Sequence, residues 1–168
     1  MADFQKYAPK LSKLEGGFSN RKADRGGPTN RGVTLRTFRE FYGSDKTVED
    51  LRNMTDEQWT HIMKSGYWDK CKADEIKSQS VAEFFSDWCV NSGIGMIRKI
   101  QFLLGVKTDG IVGPLTLAAI DKEDPASLFD RMKILRKKFV REIVENDPRQ
   151  IENLSGWINR INSFKFES

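Results

Sequence analysis

Apolar residues recur at helical spacing along most of the chain. From Asp3 onward, Phe4, Ala8, Leu11 and Glu15 share one stripe, flanked by Tyr7 and Leu14, which is the period of an amphipathic helix. Thr34 to Tyr42 carries Leu35, Phe38 and Phe41 and ends at Gly43; Thr47-Val48-Glu49-Asp50 opens a short helix. Thr55-Asp56-Glu57-Gln58 is a capping box ahead of Trp59, Ile62, Met63 and Tyr67, and Ser80-Val81-Ala82-Glu83 reads as a second one. Behind it Val81, Phe84-Phe85 and Trp88-Cys89 form the strongest stripe in the chain, which predicts the central core helix, with Asn91 on the same stripe. After Gly93 a helix runs from Ile94 to Leu104, capped by Gly105; Pro114 introduces Leu115 to Ile120 after the Asp109-Gly110 turn. Asp124-Pro125 starts a long helix with Leu128, Met132, Leu135, Phe139 and Ile143 on one face, Asp147-Pro148 stops it, and a last helix holds Ile151, Leu154, Trp157 and Ile161. The pattern predicts a mainly α fold with a small β-hairpin or flap where the periodicity lapses, after Glu15. No repeat and no Pro/Ser/Gly-rich linker interrupts it, so the expectation is one compact unit of two lobes with a cleft between them.

The lapse is where candidate chemistry collects. Glu15-Gly16-Gly17-Phe18 is followed by Asp24, Gly26-Gly27-Pro28, Thr29 and Gly32-Val33-Thr34. Glu15 continues an apolar face and stands in the last turn of its helix, where the helix dipole is negative and a cation is preferred. Partial burial and the dipole both disfavour the charged form. A carboxylic acid that keeps its proton near neutral pH is what protonation of a glycosidic oxygen requires. The alternative reading is a helix-terminal Glu whose stem packs while its head meets water. Gly16-Gly17 stops the helix, and the polar segment that follows places Asp24 and Thr29 on the flap. Asp24 by itself also suits a turn residue satisfying its own backbone. Asn91, a polar group on a core face, needs a partner or a substrate.

Composition narrows the classes only a little. The 168 residues are 38% hydrophobic and 31% charged with a net charge of +4, which fits a globular protein and mildly favours polyanionic partners. The basic residues Arg36, Arg39, Lys133 and Lys137-Lys138 are scattered, an argument against nucleic acid. No segment approaches a membrane span, and the first residues carry no apolar core of a signal peptide. Cys71 and Cys89 are expected as reduced cysteines, at least one of them buried, and the lone His61 has no ligand-spaced companion, so neither a metal site nor a cofactor is expected.

The glycine-punctuated motif from Glu15 to Thr34 resembles the signature of glycoside hydrolase family 108, lysozyme-like peptidoglycan hydrolases that include prophage proteins and secretion activators. Tyr67-Trp68, Phe85 to Gly93, the Gln101 to Thr116 segment and Gly156-Trp157-Ile158-Asn159-Arg160 are similar to the family's later motifs, so nearly the whole chain is covered. The resemblance implies a lysozyme-like helical fold, with a catalytic part over residues 1–92 and a peptidoglycan-binding-like part over 93–168. It maps the general acid onto Glu15, and a looser similarity to phage-type lysozymes adds Asp24 and Thr29. Leu14 stands where the family commonly has His, Phe18 where Tyr is frequent, and Arg31 where Tyr or Lys is frequent.

The implied reaction is hydrolysis of the β-1,4 bond between N-acetylmuramic acid and N-acetylglucosamine. Glu15 would donate the proton, Asp24 would orient a water or stabilise the oxocarbenium-like centre, and Thr29 would hold that water. Carboxyls about 6.5–9.5 Å apart would mean water attack, and about 5–5.5 Å a covalent nucleophile. A lytic transglycosylase and a non-catalytic wall-binding or secretion-related module are the alternatives. The expected protein is a monomer acting on peptidoglycan glycan strands, without nucleic acid or stable membrane association. It would wait in the cytoplasm until a holin or a secretion route releases it.

Overall fold

The computed structural model describes residues 1–20 and 27–168. Asp24 and Gly26 therefore lie outside the described residues. The chain divides into two compact units, one of residues 4–66 and one of residues 1–3 with 67–168. A π-helical turn, Lys64–Trp68, carries the chain from one to the other. Among the described residues no helix is long and apolar enough to cross a membrane.

The first unit holds α1 (Phe4–Glu15), β1 (Phe18–Ser19), β2 (Thr29–Asn30), β3 (Val33–Thr34), α2 (Leu35–Tyr42), α3 (Val48–Arg52) and α4 (Asp56–Met63). Helix α1 buries Phe4, Tyr7 and Leu11, with Tyr7 and Leu11 fully inside. Tyr7 thus belongs to the centre of the stripe, while Ala8 and Glu15 are half-buried at its edge. Gly16 follows in the left-handed region at φ 70° and donates its amide to the Ser12 carbonyl, the expected stop. The N-termini of α2, α3 and α4 are capped by Thr34, Thr47 and Thr55. The last two are full capping boxes, closed by Asp50 and Gln58.

The lapse in periodicity becomes a three-stranded antiparallel sheet in the order β1-β2-β3. Phe18 pairs with Asn30 and Ser19 with Thr29; Asn30 also pairs with Val33 and Thr29 with Thr34. Asn30 is buried and donates its side-chain amide to the carbonyls of Leu51 (2.9 Å) and Arg52 (3.2 Å). It thereby ties the sheet to the C-terminal end of α3.

The second unit holds α5 (Gln79–Ser92), α6 (Met96–Leu104), α7 (Pro114–Lys122), α8 (Pro125–Asn146) and α9 (Ile151–Ser163). Helix α5 is the core helix, burying a near-continuous run from Ser80 to Cys89, and it packs on α6 and α8 while α8 packs on α9. Its cap is not the expected one. Ser78 accepts the Val81 amide, so the helix begins two residues before the anticipated box. Ser80 is instead buried, its hydroxyl accepting the Glu167 amide (2.9 Å) and donating to the Glu167 carbonyl (3.3 Å). The buried face of α8 is also turned from the expected one: Leu128, Phe129, Met132, Arg136 and Val140 are inside, with Leu135, Phe139 and Ile143 half-buried.

That rotation follows from an ion-pair network. The Asp87 carboxylate, with no exposed side-chain surface, accepts from Arg136 (2.9 Å), itself 1% exposed, and from Arg160 (2.8 Å). A charge of either sign enters a core only with its partner, so Asp87 on α5 draws Arg136 to the inner face of α8.

Both cysteines are buried and free, with their sulfurs 3.6 Å apart. The hydrogen bond to Cys89, together with burial, raises the Cys71 thiol well above its usual range. The unfolded chain then releases this proton first as pH climbs past about 8.5. Folding stability is therefore whole below that pH and declines as pH rises towards the folded value. Denaturant melts between pH 7 and 10 are expected to show this decline, and Cys71→Ala to flatten it.

Candidate functional site

Glu15 ends α1, half-buried. Beside it runs the backbone of the β2–β3 turn. Gly32 sits at the β2–β3 turn with φ 81°, so close that a Cβ built on it would fall 2.3 Å from Glu15 Oε2 and 2.7 Å from the carboxyl carbon. A Cβ at that distance would force the Glu15 side chain or the turn to shift, so the observed seat of the carboxylate depends on residue 32 being glycine. The turn delivers a peptide unit to the side of the acid.

The turn itself is held from several directions. Arg31 and Gly32 both have positive φ, 50° and 81°, the two-residue geometry that matches the twist of a hairpin. That conformation is uncommon for arginine, and the contacts show what maintains it. The Arg31 amide donates to the Gly17 carbonyl (3.2 Å), and the Trp59 indole donates to the Arg31 carbonyl (2.9 Å). The Arg31 guanidinium lies 4.2 Å above the Trp59 ring, pairs with Asp56 (2.7 Å) and donates to the Ser12 hydroxyl (3.0 Å). Ser12 is one turn before Glu15 on α1, and Asp56 and Trp59 belong to α4. Arg31 therefore connects the acid's helix, the turn and α4 at one point.

Thr29 is half-buried on β2, directly before Asn30. Because strand residues alternate faces, Thr29 is on the side opposite the buried Asn30, together with its partners Ser19 and Thr34. Asn91 belongs to the other compact unit, near the end of α5. It is exposed and its side-chain oxygen accepts from Arg136 (3.2 Å), which gives this polar group a protein partner. His61 is exposed on α4, and no cluster of three metal-ligating side chains occurs among the described residues.

Three residues of the site had no part in the expectations as functional groups: Gly32, Trp59 and Asn30. Gly32 had a legible signal, since Arg31-Gly32 lies between two short β-branched or polar pairs and a glycine there suits a primed turn. The approach of that glycine to Glu15 has no local signature.

Should Glu15 carry the chemistry, Gly32→Ala would lower kcat/KM by about 10²-fold, the scale of an ångström-size displacement of a reacting group. The fold would lose about 1–2 kcal/mol, the cost of one unfavourable left-handed residue. Full activity in Gly32→Ala would show that the turn does not position Glu15.

Comparisons with known proteins bear on the family and the fold. The sequence model of the family Glycosyl hydrolase 108 matches residues 8–93, and that of the Predicted Peptidoglycan domain matches residues 96–162. The structure is similar to that of Brucella abortus SagA, with a TM-score of 0.81, 25% sequence identity, and coverage of 98% of this chain and 97% of that one. No curated protein matches the chain. The first match takes in Glu15, the sheet and α5, half of the sequence in one continuous stretch. With a mainly helical lysozyme-like fold, a small sheet behind a helix-terminal Glu, and a peptidoglycan-type second half, the chain belongs to the glycosyl hydrolase 108 family and is a glycoside hydrolase that degrades peptidoglycan.

Proposed function

We propose that the enzyme is an N-acetylmuramidase, cleaving the β-1,4 bond between N-acetylmuramic acid and N-acetylglucosamine with Glu15 as the general acid. The observation that carries this reading is the Glu15 carboxylate seated against the Gly32 backbone at the end of α1. A general acid has to be held within hydrogen-bond reach of the leaving oxygen. A half-buried carboxyl beside a glycine turn that is itself anchored on Trp59 supports that role. Asp24 and Thr29 enter by their spacing from Glu15. Thr29, on the sheet face away from Asn30, would hold the water, and Asp24 would orient it or stabilise the positive centre.

The test is product analysis. Purified sacculi digested with the enzyme are expected to yield, by mass spectrometry, muropeptides with reducing N-acetylmuramic acid ends. Anhydro ends would replace the hydrolase with a lytic transglycosylase. Wall retention with no cleaved product across a pH series would leave a binding module.

A further inference from the structure

A second site is built on the C-terminal unit. Between the end of α6 and the outward face of α7 runs a groove of about 420 Å³, walled by Leu104, Val106, Leu115 and Ala118. Leu115, in the first turn of α7, is 79% exposed. Lys107 and Lys122 also line the groove. The one acidic side chain in its lining, Glu123, is engaged by Arg131. Asp109 near Lys107 is committed elsewhere: its carboxylate accepts from the Ile111 amide (3.0 Å) and from Gln101 (3.0 Å), which hold its pKa below the usual carboxylate range. The groove therefore offers apolar walls and two cations.

The elements that carry the groove are held together by hydrogen bonds. The buried Gln101 side chain donates to the Ile111 carbonyl (2.9 Å) and to Thr116 (3.2 Å) and accepts the Gly110 amide (2.9 Å). One residue thus fixes the loop and the first turn of α7 on α6. A ligand meeting such a surface loses little to ordering of the protein.

We propose that this groove binds the acidic stem peptide of peptidoglycan. The proposal rests on the reading of peptidoglycan as substrate and adds the part of the polymer that the second unit holds. Alanine methyl groups suit the Leu115–Ala118 wall, and the glutamate and terminal carboxylates suit Lys107 and Lys122. A glycan strand suits the groove less. Sugar rings are recognised on aromatic faces, and none of the described lining residues is aromatic.

The test uses the full chain and a synthetic stem tetrapeptide, titrated by NMR or calorimetry. Binding is expected to be saturable, to weaken with added salt, and to fall at least about tenfold in Leu115→Glu and in the Lys107→Glu, Lys122→Glu double variant. Ile134→Glu, at an exposed position of α8 outside the groove, should bind as the parent does. Equal binding by all of these variants would overturn the proposal. So would retention of peptide-stripped glycan chains as firmly as intact sacculi, or self-association lost in Leu115→Glu without peptide binding. The readout needs no cleavage, so peptide binding beside absent cleavage would refute the muramidase reading alone. Cleavage beside absent peptide binding would refute only the groove.

Discussion

Glu15→Gln is expected to lower the clearing of purified peptidoglycan by about 10²–10⁴-fold, the contribution of a positioned general acid, with little change in the melting temperature. The substitution keeps the shape of the side chain and removes its proton-donating acidity. It leaves Gly32 in place and does not touch Arg31, Trp59 or Asp56, whose contacts hold the turn. The loss should sit in kcat, because the proton is transferred in the transition state and contributes little to ground-state binding. Retained wall binding with lost turnover would match this reading. A folded Glu15→Gln enzyme with full activity would remove Glu15 from the chemistry and leave the family assignment standing without its acid.

The largest stability effect is expected in the other unit. Asp87→Asn leaves the Arg136 guanidinium, only 1% exposed, without its carboxylate, and breaking a buried pair from one side typically costs about 3–5 kcal/mol. Arg160→Ala should cost less, since that side chain is 12% exposed and water can replace part of the interaction. Urea unfolding of the two variants would check the order. An Asp87→Asn cost below about 1 kcal/mol would mean that the network contributes little to the fold.

Helices were legible because their signals are local. The Thr47 and Thr55 boxes, Gly105 in the left-handed region at φ 73°, and Pro114 and Pro125 at the starts of helices all appear where the pattern put them. The misreadings came from polar residues with distant partners. Ser80 looked like a cap because serine before an apolar run usually is one, but its bond is to Glu167 and Ser78 took the capping role. The face of α8 was misjudged because only its apolar residues were read, whereas Arg136 is drawn inside by Asp87, 49 positions earlier in the sequence. Asp87 within the densest apolar stripe was the available clue.

The site divides along the same line. Glu15 stood out through helix phase and position, both readable from fifteen residues. Its companion surface did not, because strands of two residues carry no alternation and their register depends on the turn. Arg31 seemed a simple departure from the family pattern. In the structure it bridges Ser12, Asp56 and Trp59.

The place where α5 sits has a consequence for how such enzymes can be rearranged. The catalytic family match ends at residue 93 and the second begins at 96, which invites treating the halves as interchangeable cassettes. Yet α5, the last helix of the first match, belongs by its contacts with the helices of the second. Recombination at 93–96 would part Asp87 from both of its guanidinium partners. A viable graft must bring a matching Arg136 and Arg160, so the two halves are obliged to diverge together rather than be traded between proteins.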